Sequence, residues 1–393
     1  MSSQHAVAAH WGGGFDEPAL QEWVEHLRGQ LSSPVSLGLV FMTPKFFPYA
    51  RQTLELLRVH GEVPLLAGCS SGSLIAGSQE IEENAGLVLG LYSLPGALLQ
   101  TCRFTQEQVE EATGAYWHLE TGVTNEQTNG WLVFADPFHL DASRWLESWN
   151  EAYASMPILG GLASGSSSEQ RTQIYLDGDV FEEGGVGISV GGAVKVTGVI
   201  SQGCTPIGET WTITKAERNL IYQIGNRPAY QVLAETFGSL STEEQKKTRG
   251  NLFVGLVINE YLDEFQRGDF LIRNLLGGDP SSGVLAIGES PRVGQTIQFQ
   301  RRDAEAATED MRVLLERTQA QLGGQTIYGG CLCCCNGRGY RMFGSSSHDA
   351  KIIQEQLGPI ALTGFFCNGE MGPVGERSFL HGYTASLALF LKK

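Results

Sequence analysis

Residues 39–73, LVFMTPKFFPYARQTLELLRVHGEVPLLAGCSSGS, align without a gap with residues 132–166, LVFADPFHLDASRWLESWNEAYASMPILGGLASGS, at an offset of 93. Eleven of the 35 positions are identical, including Leu39/Leu132, Val40/Val133, Phe41/Phe134, Pro44/Pro137, Gly68/Gly161, Ser71/Ser164 and Gly72/Gly165. The first half of the chain is therefore an internal duplication. Each copy reads as strand, turn, helix, strand and glycine-rich turn. The apolar run stopped by Pro44 or Pro137 favours a buried strand. Trp145, Trp149 and Tyr153 recur at i, i+4 and i+8, which puts one aromatic helix face on a core. Each copy then runs into further strands, through EENAGLVLGL at 82–91 and EEGGVGISV at 182–190.

Outward from the duplication, residues 1–34 read as a polar lead-in with a short amphipathic helix over 18–31. The texture changes at Cys204, which places a duplicated domain at 35–204 and a second domain at 205–393. The second domain opens with short strands and carries a strand over 252–258 and a hairpin-rich stretch to Gln300. A long helix follows, capped by Asp303 and stopped by Gly323-Gly324. From Thr326 the earlier plan returns loosely as TIYGGCLCCC, a turn NGRG, a helix over 348–357, and GPIALTGFFCNGEMGP. The expected fold is α/β: layered mixed β-sheets with flanking helices, a duplicated N-terminal domain and a related C-terminal domain.

Composition narrows the function. The 393 residues are 42% hydrophobic and 18% charged, as in an ordinary globular protein, and the 50 glycines gather at strand ends, where tight turns need them. The net charge of −16 is spread along the chain, so sequence-independent binding to nucleic acid or anionic lipid is not expected. The start, MSSQHAVAAHWGGG, is unlike a signal peptide, and no run approaches the roughly 20 apolar residues of a spanning helix. A cytoplasmic location without membrane insertion is expected, with thiols reduced.

Four of the eight cysteines fall in 331–335. On a strand, Cys331, Cys333 and Cys335 share one face at roughly 7 Å intervals, a poor spacing for chelation. The preferred reading is a buried strand that uses cysteine as a small apolar residue, with no metal site; a metal cage or a redox pair is the alternative. More telling is an echo, Cys335-Asn336-Gly337 returning as Cys367-Asn368-Gly369, the first followed by Arg338 and the second by Glu370. Asn-Gly suggests positive φ and backbone donors aimed into a turn. If adjacent strands join the turns, they form a polar pocket in which Arg338 meets an anionic group and Glu370 a cationic one, as an amino acid offers. Two hairpin turns joined by a surface ion pair are the plainer alternative. His381 reads foremost as a hydrogen-bonded structural residue, and no complete catalytic constellation is present. Ser70-Ser71 and Ser166-Ser167 read as tight turns, with an anion cradle as the alternative.

CNGRG, followed about thirty residues later by GFFCNGEMGPVGERSFLHGYTASLALF, resembles the C-terminal signature of the FIST family, and the duplicated block resembles its N-terminal domain. The resemblance spans roughly 35–390 and implies a cytoplasmic sensor that binds a small ligand, such as an amino acid or related metabolite. It also implies a separate signalling partner such as a kinase, and leaves homo-oligomerisation open. The family positions are Asn336, Gly337, Arg338, Gly339, Gly364, Phe365, Cys367, Asn368, Gly369, Glu370, Gly372, Pro373 and His381, and the implied ligand-binding set is Asn336 to Gly339, Cys367 to Glu370 and His381. The four-cysteine run departs from the family, in which one cysteine precedes Asn-Gly. The lead-in lacks the length and pattern of an F-box. The rival readings are a gas sensor whose cofactor is haem, with His381 or a cysteine as axial ligand, and a thiol-dependent enzyme acting through Cys367.

Overall fold

Three copies of one strand-helix-strand plan build most of the protein. The computed structural model describes residues 5–82, 86–165 and 170–393. The first copy comprises β1 (Ala6–Trp11), α1 (Glu17–Gly29), β2 (Leu37–Met42), α2 (Ala50–His60), β3 (Leu66–Ser70), β4 (Leu74–Ala76), β5 (Gln79–Ile81) and β6 (Leu87–Tyr92). The second runs β7 (Ala97–Phe104), α3 (Gln106–Glu111), α4 (Gly114–Thr121), β8 (Trp131–Ala135), α5 (Ala142–Ala152), β9 (Ile158–Leu162), β10 (Ile174–Leu176), β11 (Asp179–Phe181) and β12 (Gly185–Gly192).

The third copy is interrupted. It opens with β13 (Val194–Ser201) and resumes only after β14 (Cys204–Glu217), β15 (Leu220–Ile224), β16 (Arg227–Pro228), α6 (Ala229–Ser239), α7 (Thr242–Thr248), β17 (Leu252–Val257), β18 (Phe270–Asp279), β19 (Val284–Ile287), β20 (Thr296–Arg302) and α8 (Ala304–Leu322). Its remainder is β21 (Ile327–Cys335), α9 (Tyr340–Phe343), α10 (His348–Leu357), β22 (Leu362–Cys367), β23 (Gly369–Val374), β24 (Arg377–His381) and β25 (Ala385–Lys392). Contacts divide the chain into one unit of residues 1–200 and 312–393 and another of 201–311. The sequence reading divides the chain linearly near 204; in space, the segment from Arg312 rejoins the first 200 residues.

The reason lies in the sheets of the first unit. Their strand orders are β1-β6-β2-β3-β10-β11, β7-β12-β8-β9-β23-β24 and β13-β25-β21-β22-β4-β5. In each, a parallel pair from one copy (β2/β3, β8/β9, β21/β22) is completed by a hairpin from another. The hairpin of copy one completes the sheet of copy three, that of copy two completes copy one, and that of copy three completes copy two. This cyclic exchange makes each copy's backbone hydrogen bonding depend on its neighbour.

Close approach inside each parallel pair explains one glycine per copy. A Cβ on Gly68, Gly160 or Gly364 would lie 1.7, 1.9 or 2.0 Å from the carbonyl oxygen of Val40, Val133 or Leu332. The second-copy glycine is Gly160, whereas the gapless alignment pairs Gly68 with Gly161; the strand register is shifted by one there. The inner faces of the three sheets share one core. In it Phe41, Phe134 and Phe365 form a triangle with ring centroids 5.3, 4.5 and 5.8 Å apart. Outer faces carry helices: α1 and α2 bury Leu20, Val24, Leu54 and Leu57 on the first sheet, and α4 and α5 bury Trp117, Trp145 and Trp149 on the second.

The cysteine run follows strand alternation. Cys331 and Cys333 enter the inner core with Cys69 and Cys367, while Cys334 turns to the opposite face and meets Asp349. This is the alternation expected of a strand, on which neighbouring residues point to opposite faces. The second unit is a seven-stranded sheet, β14-β20-β17-β18-β19-β15-β16, in which β14 also pairs with β15 and closes the sheet on itself around its own core with α6.

Candidate functional site

The parallel register sets Cys335 opposite Cys367 and so brings the two Asn-Gly pairs side by side. The Asn336 amide donates to Asn368 Oδ1 at 2.8 Å, and the Asn368 amide donates to the Ala163 carbonyl at 2.9 Å. Neither Asn-Gly pair takes positive φ, contrary to the expectation from that dipeptide. The first forms an i to i+3 turn, Arg338 N donating to Cys335 O at 2.8 Å, and the left-handed residue is Gly339 at φ 70°. A Cβ on Gly339 would come within 2.6 Å of the Glu82 carboxylate, so glycine is required there for both reasons. Gly369 opens β23, packed between Leu162 and Leu380. Ser71 and Ser164 meet at the junction of the copies, and both hydroxyls donate to the Phe366 carbonyl. Ser166 and Ser167 lie outside the described residues.

Past the turn, the chain folds Arg338 inward to 1% exposure. Its Nε and Nη2 donate to Asp349 Oδ2 and Oδ1 at 2.7 and 2.9 Å, a two-pronged pair in the first turn of α10. Cys334 Sγ also donates to Asp349 at 3.3 Å, and His348 Nδ1 lies 3.0 Å from Oδ1. Burial alone raises a carboxyl pKa, but the charge and hydrogen bonds of Arg338 outweigh it and hold Asp349 below the usual carboxylate range. Beside this pair sits Glu80 of β5, whose Oε1 accepts from Ala350 N at 2.9 Å and whose own N–H donates to Ser347 Oγ at 3.1 Å. Burial, then the Asp349 charge, pushes Glu80 up to about 7.

These groups edge a cleft of about 920 Å³ between hairpin β4–β5 and the 336–347 connection, lined by Glu80, Glu82, Asn336, Arg338, Tyr340 and Ser346 among others. Two residues that line it, Arg338 and Glu80, each carry a buried polar atom, Nη1 and Oε2, with no hydrogen-bond partner among the described residues. Glu370 does not line this cleft. It is fully buried, Cys367 Sγ donates to Oε1 at 3.1 Å, Thr384 N donates to Oε2 at 3.0 Å, and burial pushes it up to about 8. The expected Arg338–Glu370 pocket with opposite charges is thus not formed: the strand turns Glu370 inward, where it is a neutral acid near pH 7. His381 is buried with Nε2 3.0 Å from the Gly372 carbonyl. Burial, then Glu370, raises the Cys367 thiol well above its ordinary value, which disfavours the thiolate a nucleophile needs.

Comparison of the three copies by register shows what is special about this cleft. Gly364, Gly68 and Gly160 face Ile75, Tyr175 and Met371 of the exchanged hairpins, whose own partners are Glu80, Val180 and Leu380. Copies two and three thus place an apolar side chain where copy one places a buried acid. Likewise Cys334 stands where β2 and β8 carry Met42 and Ala135. Sequence reading reached Asn336, Arg338 and Asn368 through the echo but missed Glu80 and Asp349. Glu80 lies 258 residues before Arg338, in a hairpin whose destination the sequence does not announce. Asp349 opens a helix, where an acid is ordinary.

Residues 36–227 match the FIST N domain and residues 229–373 the FIST C domain. An uncharacterised protein of Mycobacterium tuberculosis is 38% identical over 376 residues, covering 95% of this chain and 96% of its own. Another, of Mycobacterium bovis, is 41% identical over 330 residues, covering 84% and 83%. An uncharacterised protein of Methanocaldococcus jannaschii is 22% identical over 262 residues, covering 64% and 49%. No helix among the described residues is long and apolar enough to cross a membrane. With both family models matched in order along most of its length, the chain belongs to the FIST family of sensor-type domains.

Proposed function

We propose that the protein is a cytoplasmic sensor that takes up a small polar ligand, such as an amino acid or related metabolite, in the cleft between hairpin β4–β5 and the 336–347 connection. The observation that carries this reading is the pair of unpartnered buried atoms, Arg338 Nη1 and Glu80 Oε2, on two residues that line one cleft. A buried polar atom left without a hydrogen bond costs about 1–3 kcal/mol, more for a charged group, and a ligand that supplies the bond recovers that cost. The same cost is avoided in the other two copies, where Val180 and Leu380 replace the acid.

The cleft joins elements from two copies, the hairpin of the first and the turn and helix of the third, so a ligand bridging them changes how firmly the copies hold together. Output then passes to a separate signalling protein, such as a kinase, that reads this change. The test is thermal-shift screening of the parent and of Ser346→Trp, which fills the cleft from an exposed position. Ligands that raise the parent's melting temperature and leave the variant's unchanged support the reading; an equal response from both proteins contradicts it.

A further inference from the structure

We propose that the cleft recognises a small carboxylate, gripped between Arg338 Nη1 and the protonated carboxyl of Glu80, so that ligand binding is coupled to the protonation of Glu80. The inference rests on the proposed sensor reading and specifies its ligand.

Geometry supplies the first part. Asp349 occupies the Nε and Nη2 edge of Arg338, a residue lining the cleft, and leaves Nη1, always a donor, unpartnered. Ala350 N occupies Oε1 of Glu80, which also lines the cleft, and leaves Oε2 unpartnered; both partners belong to the first turn of α10. Both side chains are thus anchored at one helix end, each with one polar atom left over. What they can bind depends on the state of Glu80, and its surroundings decide it. Glu82 lies on its own hairpin, Asp349 with its neighbour His348 on α10, Cys334 on β21, and Arg338 and Arg341 on the connection. The positive charge of Arg338 is already matched by Asp349, so burial and two nearby carboxylates favour the neutral, donating form of Glu80.

Two donors left over at one helix end call for an acceptor with two oxygens. A carboxylate accepts one bond from Nη1 and one from the Glu80 O–H, with no bond broken and the proton kept on Glu80. A dianion such as phosphate meets the same donors but adds repulsion from Asp349 and Glu82.

The sign of the coupling follows. An anion beside Glu80 favours its protonated form, so where free Glu80 has begun to ionise, above about pH 7, binding takes up a proton. Affinity is then flat below pH 7 and falls by about tenfold per pH unit above it. Isothermal titration of the full chain with matched acids and amides (propionate and propionamide, alanine and alaninamide, succinate and succinamide), with inorganic phosphate as control, between pH 6 and 9, tests this. The expected result is at least one acid that binds at least tenfold more tightly than its amide and than phosphate at pH 6. Its affinity declines above pH 7, and Glu80→Gln, whose amide still donates, binds at pH 6 with the decline removed. Amides or phosphate binding as well as the acids, affinity that stays flat to pH 9, or an unchanged decline in Glu80→Gln overturns the proposal while leaving a ligand cleft that Ser346→Trp still blocks. If every response survives Ser346→Trp, the cleft reading itself falls, and this inference with it.

Discussion

Asp349 and Arg338 form a fully buried ion pair whose cost in lost hydration is met only while both partners are present. Asp349→Ala is expected to lower unfolding free energy by about 3–5 kcal/mol in denaturant titrations, because it strands a buried guanidinium. A loss comparable to that of a surface substitution contradicts the pairing. Glu370 gives a prediction of opposite kind. Its carboxyl has an ordinary value of 4.5 and is pushed up to about 8 in the fold. The contribution of its protonated form is therefore fully present below about pH 4.5 and is lost as pH rises through 8. Urea unfolding at pH 5 and pH 8 is expected to show a smaller loss of stability with pH in Glu370→Gln than in the parent; equal losses contradict a neutral buried acid. Of these residues, Arg338 and Glu370 were visible in the sequence as charges after matched turns, but not which way each side chain points. Inward or outward on a strand is fixed by register, and a turn gives no register for the strand that follows it.

Among the elements, the parallel pairs were the most legible. An apolar run, a proline, an amphipathic helix and a glycine turn recur in the same order, and the structure turns each recurrence into two strands and a crossover helix. The exchanged hairpins were not legible, because strands as short as Leu74–Ala76 and Ile174–Leu176 carry too little pattern to name a partner sheet. The tightest point of each pair is its glycine. Gly364→Ala forces a methyl group against the Leu332 carbonyl, and is expected to cost about 1–3 kcal/mol or more, measured by the shift in urea midpoint. A neutral outcome would mean that β21 and β22 do not approach as closely as described.

Across the first unit, hairpin exchange couples the three copies. In a variant with Trp11, Trp23 and Trp211 replaced by Phe and Cys69, Cys102 and Cys204 by Ala, Trp117, Trp131, Trp145 and Trp149 report on the second copy, and the buried Cys331, Cys333 and Cys334 report on the third. Because β23 and β24 of the third copy complete the second copy's sheet, tryptophan emission and thiol labelling are expected to change at the same urea concentration. Separate midpoints would mean independent copies. The same exchange places Glu80 of copy one against Arg338 and Asp349 of copy three, so the cleft exists only when the copies are assembled. Its function is tested most directly by native mass spectrometry of the freshly purified full chain beside Ser346→Trp. A small ligand retained on the parent and missing from the folded variant is the predicted result; the same bound mass on both proteins would contradict a ligand seated between Glu80 and Arg338.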